Sequence, residues 1–380
     1  MRFWFVWLFA SVAFGGQPFL EKTDLFEVGQ EGCLSYRIPA IAVTRNGTVL
    51  AFTGARQKVS DWAETVLLLR RSTDGGKTWQ PRRVVATAPK HTVDCPVPIV
   101  DRITGALHFL YQVDYAHCYY MRSDDDGQTF SQPRDITAAF EAFRSEYDWT
   151  VMTPSPGTAI QLTGGRLVVP VWLSNGGGHA HRPSCTSAIY SDDHGKTWRR
   201  GAIAVQTTEA TPNPSEAAVV ELSDGGVMLN VRCESPRYRR LVTRSADGAT
   251  NWSAPRFDEH LYDPICHASL IRFPSSGGKI RLLFANPDSR ARTEAIRKWG
   301  GRPRENVTLR LSDDDGRTWP VAKVLEAGRS AYTSLACAPD GTLYCLYERG
   351  YSADNELNTR WLTVARFNLE WLTDGKDSPK

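Results

Sequence analysis

The chain reads as an all-β protein, a six-bladed β-propeller with Asp-box turns, and a repeat and a turn motif carry that reading. A glycine followed by a short apolar strand recurs at Gly47, Gly105, Gly165, Gly226, Gly278 and Gly341, as in Gly47-Thr48-Val49-Leu50-Ala51-Phe52. The intervals are about 52 to 63 residues, the length one four-stranded sheet and its turns take in a radial array. A Ser-x-Asp-x-Gly-x-Thr-Trp turn follows most copies. Ser72 to Trp79, Ser191 to Trp198 and Ser312 to Trp319 are complete, Ser123 to Phe130 ends in Phe, Ser245 to Trp252 is degraded, and the last unit has none. Asp and Ser bond their own turn backbone, Gly takes positive φ, and the aromatic can pack between sheets. These aspartates are therefore expected to staple hairpins.

The repeat consumes nearly all of the 380 residues, so one propeller domain over 17–380 is expected. Ahead of it, Arg2, an apolar run from Phe3 to Phe14 and small residues to Gly16 form an export-signal pattern over 1–16. That run is too short to span a bilayer; its alternative is a buried first strand. Export predicts a secreted or periplasmic protein. Sequons at Asn46, Asn251 and Asn306 include one inside a turn motif, where a glycan would be awkward, which favours a bacterial exporter. A net charge of +3 with dispersed Lys and Arg gives no nucleic-acid footprint. The eight cysteines show no disulfide framework and are expected as buried free thiols. Cys337 and Cys345 flank one hairpin but in offset register. His179 and His181 lack further ligands at zinc spacing and read as a loop, so no metal or cofactor is expected.

The repeat also says which residues share a face. Taking each glycine as the hairpin between strands one and two, residues about ten before it and six to nine after it meet at one end of the sheet. Arg37, Asp94, Glu216, His267 and Tyr332 fall at strand-one starts, and Arg56, Arg232 and Glu348 at strand-two ends. The turn motifs fall on the opposite face. Polar residues from five repeats thus converge on one mouth.

Tyr36-Arg37-Ile38-Pro39, with the Asp-box turns and the later segments in order, resembles the exo-sialidases (neuraminidases) of the bacterial and animal type over about Leu25 to Leu372. The resemblance implies an arginine triad, Arg37, Arg232 and Arg304, that clamps the sialic acid carboxylate, with Arg302 the neighbouring alternative to Arg304. It implies Asp61 as general acid/base, Tyr332 as nucleophile and Glu216 as its partner. Arg56 and Asp94 would lie at the C4 side of the sugar, His267 would contact substrate or fill its strand end, and Glu348 would brace Arg37. The implied partners are sialylated glycans, glycoproteins or glycolipids, met by a monomer with no membrane span.

The chemistry suits these residue types. An anionic sugar calls for planar, permanently charged guanidinium groups. A neutral phenol avoids the repulsion a carboxylate nucleophile would meet, and needs a base beside it. The expected reaction is retaining release of terminal α-linked sialic acid. Transfer to another sugar, action on the deaminated sugar KDN, and a non-catalytic sialoglycan-binding propeller are the alternatives. Two departures bear on specificity: Trp62-Ala63-Glu64-Thr65 follows Asp61, and Met152-Thr153-Pro154-Ser155-Pro156-Gly157 replaces a Gly-Pro-Gly segment. Trp149, Trp172 and Met152 are candidates for an apolar wall, or for core.

Overall fold

The computed structural model describes residues 17–274, 280–292, 301–352 and 358–376; the 1–16 segment and Gly278 lie outside them. Alternating apolar strands cut by glycine turns produce antiparallel sheets in a β-propeller arrangement. The first sheet is Ser35–Val43, Val49–Arg56, Thr65–Ser72 and Arg83–Ala86, and the second Val93–Val100, Leu107–Val113, His117–Ser123 and Arg134–Asp135. The third is built on Val151–Pro154, Leu167–His179 and Arg182–Ser191, with three two-residue strands added. The fourth is Ala217–Glu221, Val227–Val231, Arg239–Ser245 and Arg256–Tyr262.

The last sheet has seven strands, running from Ser269–Pro274 through Ile280–Pro287, Glu305–Ser312, Val321–Cys337, Leu343–Arg349 and Trp361–Phe367 to Leu20–Glu27. Its outermost partner is thus the first strand among the described residues, with Leu20 opposite Phe367 and Glu27 opposite Trp361. Apolar clusters lie between sheets consecutive in sequence. Phe52 of the first sheet packs on Phe109 of the second at 4.8 Å. Another cluster joins Tyr36, Ile41 and Val49 to Tyr344, Leu346 and Leu362, so the last sheet packs on the first.

The five described repeat glycines fall in the expected hairpins. Gly47, Gly105, Gly165 and Gly341 have φ between 80° and 94°, whereas in the fourth sheet the left-handed residue is Gly225 (φ 83°), one before Gly226. Each Asp-box turn closes on itself: Ser72 Oγ donates to Asp74 and accepts from Gly76 N, while Asp74 takes the N–H and hydroxyl of Thr78. The degraded copy keeps this pattern one residue shorter, with Asp247 accepting from Thr250 N and Oγ1. All eight cysteines are free, and Cys337 pairs with Leu343 while Cys345 pairs with Leu335, the offset read from the sequence. Among the described residues no helix is long and apolar enough to cross a membrane.

On the turn-motif face, Asp101 is a buried polar staple between the second and third sheets. It accepts from Ile103 N, Thr104 N, Gln161 Nε2 and His194 Nδ1, the last at 2.6 Å, and lies 3.4 Å from His108 Nε2. Removing it strands several buried donors at once. Asp101→Ala is expected to cost about 3 kcal/mol or more in urea unfolding. Being at the far end of its sheet from Asp94, it should leave turnover per folded molecule unaltered.

Candidate active site

First strands of neighbouring sheets pack against one another around the axis; two of their starts carry the same bulge, and the loop ahead of a third, Ser269–Pro274, holds a left-handed residue as well. The ladder slips between Arg37 and Ala40 and between Asp94 and Val97, where Pro39 and Pro96 can donate no hydrogen bond. Ile38 (φ 63°), Cys95 (59°) and Ile265 (64°) are left-handed. A left-handed conformation costs roughly 1–3 kcal/mol per residue, most for the β-branched isoleucines. Each of these N–H groups is met by a buried carboxylate: Ile38 N donates to Glu348, Cys95 N to Asp94 and Ile265 N to Asp263. The bulges turn Arg37 and Asp94 off the sheet and into the mouth.

The side chains from the predicted positions form one contiguous group. Arg37 Nε donates to Glu348 Oε1 at 2.7 Å, and Tyr332 N donates to the other oxygen of Glu348 at 3.3 Å. The Tyr332 hydroxyl donates to Glu216 Oε1 at 2.6 Å and accepts from Arg232 Nη1 at 3.1 Å; the same Arg232 nitrogen donates to Glu216 Oε2 at 2.5 Å. Guanidinium carbons of Arg37 and Arg304 lie 5.2 and 5.4 Å from the Tyr332 ring centre. Arg304 is held by the Ile265 carbonyl at 3.0 Å, whereas Arg302 lies over the Tyr238 ring. Ile38, Cys95 and Cys266 pack around Tyr332. Beside them Arg56 donates to both Asp94 and Asp61 at 2.8 Å, with Asp94 fully buried and the Asp61 side chain 50% exposed.

This arrangement sets the proton positions. Burial, with the charge of Glu216, pushes the Tyr332 phenol well up, against the pull of Arg232 and Arg304. Burial also works to raise Glu216, but Arg232 beside it prevails and holds it at about 2. Asp61 is likewise held below the usual carboxylate range, burial being outweighed by Arg56 and Arg37. The phenol is therefore neutral and both carboxylates are ionised, while three guanidinium groups gather around the Tyr332 side chain, an arrangement that suits an anion.

The rim over Asp61 is aromatic. Trp62 is 48% exposed and lies 4.8 Å from Tyr115 between ring centres and 5.9 Å from His181. Trp172 meets His181 edge-on at 5.3 Å. His181 comes from the turn joining Leu167–His179 to Arg182–Ser191, so the glycine-rich stretch is a strand extension and not a loop. That hairpin end is seated by Arg182, which bonds Glu234 through two nitrogens at 2.8 and 2.6 Å.

A family model described as "BNR repeat-like domain" matches residues 71–345. A sialidase of Micromonospora viridifaciens is 35% identical over 96% of this chain and 56% of its own. One of Bacteroides fragilis is 28% identical, over 84% and 61% respectively. The chain belongs to the BNR-repeat sialidase (neuraminidase) family. A solved Hadza microbial sialidase superposes with TM-score 0.76 at 26% identity, covering 92% of this chain and 69% of that one. The chain spans a little over half the length of the first two of these sialidases.

Against this sialidase frame, the candidates for an apolar wall divide. Trp149 donates to the Phe140 carbonyl inside the core and Met152 is fully buried there, whereas Trp172 belongs to the rim cluster. Two partners of the mouth escaped sequence reasoning. Asp263 and the fully buried Arg240 bond each other at 3.1 Å and fix the loop that carries Ile265 and His267. The only signal for Asp263 was the proline after it, and a strand arginine gives none. Trp62 was noted as a departure, but its meeting with Tyr115 depends on packing between sheets.

His267 packs tilted against Tyr332 at 5.2 Å between ring centres and is buried, with neither ring nitrogen bonded among the described residues. Burial, with help from the surrounding arginines and against Glu216, lowers it to about 4. The unfolded chain therefore binds a proton below about pH 6.5 that the folded chain does not take until about pH 4. Folding stability should fall by ~3 kcal/mol from this group as pH drops through that window. The His267→Gln variant should lack that component when urea unfolding is compared at pH 7 and pH 4. Equal slopes in the two proteins would show that His267 titrates normally.

Proposed function

We propose that this chain is a secreted or periplasmic exo-α-sialidase that releases terminal α-linked sialic acid from glycoconjugates with retention. The observation that carries it is the neutral phenol of Tyr332, bonded to the Glu216 carboxylate inside the ring of Arg37, Arg232 and Arg304. In this reading the three arginines bind the substrate carboxylate, and the Tyr332 oxygen attacks the anomeric carbon. Its proton passes to Glu216 as the bond forms. A prior transfer is disfavoured, because the phenol is raised and the carboxylate is held low. Asp61 protonates the departing oxygen, then takes a proton from the water that displaces Tyr332, whose oxygen recovers its proton from Glu216. Asp61 is ionised before substrate binds. The substrate carboxylate, by offsetting the charge of Arg37, raises it toward the form that donates this proton, against the remaining pull of Arg56. Arg56 and Asp94 would contact the C4 side, and Glu348 would hold Arg37 in orientation.

We also read the ring as six-bladed. What supports this is Val321–Cys337, which pairs through its first half with Glu305–Ser312 and through its second with Leu343–Arg349, dividing the seven-stranded sheet in two. Export rests on the Arg2 and Phe3–Phe14 pattern, and N-terminal sequencing of exported protein checks it.

Incubation with a fluorogenic aryl sialoside and its KDN counterpart tests the activity. Turnover of neither returns the chain to a non-catalytic, sialoglycan-binding propeller. Tyr332→Phe should fold normally yet lose at least about a thousandfold in kcat. A fluorinated sialosyl fluoride should label Tyr332 in the unaltered protein; a label on another residue removes it as nucleophile. Asp61→Ala should slow glycosyl transfer from sialyl-lactose far more than from an aryl sialoside, whose leaving group needs little protonation. Equal losses in single-turnover rates would exclude Asp61 as the acid.

A further inference from the structure

Trp62 presents about half of a large apolar ring to solvent, directly after the residue that faces the departing oxygen. Exposed indoles without neighbours are ordinary on protein surfaces. This one is backed. Tyr115 underlies it at 4.8 Å and His181 flanks it at 5.9 Å, while Trp172 lies behind both at 6.5 and 5.3 Å.

The backing ring is held at a cost. Tyr115 is left-handed (φ 54°), as is Asp114 before it (53°), an unusual conformation for a bulky aromatic. Three bonds hold that backbone: Tyr115 N donates to the Gln112 side chain, its carbonyl accepts from Met152 N, and Asp114 N donates to the Thr92 carbonyl. Packing then buries Tyr115 against Val151 and Trp172. The fold thus accepts local strain to keep an aromatic ring beneath Trp62, and the outcome is a firm, flat surface at the rim.

We propose that Trp62, on its backing of Tyr115, Trp172 and His181, is the stacking platform for the leaving-group sugar, and that this one residue sets how strongly the chain favours a pyranose over a leaving group without a ring. This rests on the sialidase reading. The charged pocket of Arg37, Arg232 and Arg304 is buried and takes the sialic acid itself, whereas Trp62 lies outside it on the Asp61 side. A hexopyranose has an apolar face of C–H groups that stacks on an indole, and its hydroxyls stay in water. Stacking there also aligns the glycosidic oxygen with the carboxyl next door in sequence.

The test compares 3′-sialyl-lactose with methyl α-sialoside. Both have alkoxide leaving groups that need a proton from Asp61, and only the first carries a ring. In Trp62→Ala the ratio of kcat/KM for sialyl-lactose to that for the methyl sialoside should fall about tenfold or more, mainly through KM. Trp62→Tyr should restore most of it. A ratio within twofold of the starting protein overturns the platform, whether both rates fall together or neither changes. Failure of the unaltered protein to cleave either compound would instead overturn the sialidase reading.

Discussion

A single buried carboxylate ties the mouth to the ring. Glu348 takes the Arg37 guanidinium and the Ile38 N–H on one oxygen and the Tyr332 N–H on the other. Arg37 and Ile38 belong to the first sheet, Tyr332 and Glu348 to the last. The contact that closes the ring electrostatically is thus also the one that orients two residues of the site. Burying a carboxylate is costly unless it is fully paired, and here its partners are a charge and two backbone donors that the bulges leave without ladder partners. Asp94 and Asp263 do the same for Cys95 and Ile265. The bulges, the arginines and the carboxylates are one mutually dependent set.

That dependence explains the charges at the centre. Guanidinium groups placed near one another repel, and their burial is tolerable only beside carboxylates and carbonyls. Arg232 has Glu216, Arg56 has Asp61 and Asp94, Arg304 has the Ile265 carbonyl, and Arg240 has Asp263 behind the mouth. The same pairings keep Glu216 and Asp61 ionised, while burial and the charge of Glu216 keep the phenol protonated. Structure and reactivity therefore draw on one electrostatic balance.

Much of this could be read from the chain because a repeat converts sequence distance into spatial position. Counting from Gly47, Gly105, Gly226 and Gly341 brought Arg37, Asp94, Glu216, Arg232, Tyr332 and Glu348 to one mouth; Arg37, Glu348, Tyr332, Glu216 and Arg232 form one bonded chain there, and Asp94 lies beside it, bonded to Arg56. Residues outside that count were opaque. Asp263 and Arg240 act through a loop whose course depends on neighbouring strands, and Trp62, Tyr115 and His181 come together only because three different sheets curve toward each other. The left-handed residue in the fourth hairpin is Gly225 because Asp224 and Gly225 occupy the turn and Gly226 already leads into the strand.

The pairing of Leu20–Glu27 with Trp361–Phe367 has a consequence for how the molecule is made. On synthesis this strand waits for a partner roughly 340 residues downstream. At about 5–20 residues per second that delay is on the order of 20–70 s. Through it the strand is an unpaired edge, the kind of segment that recruits other chains. Its composition suits the wait: Glu21, Lys22 and Asp24 stay exposed even in the finished ring, and only Leu25 and Phe26 are fully buried. Charge along the waiting strand keeps a slow closure from becoming aggregation.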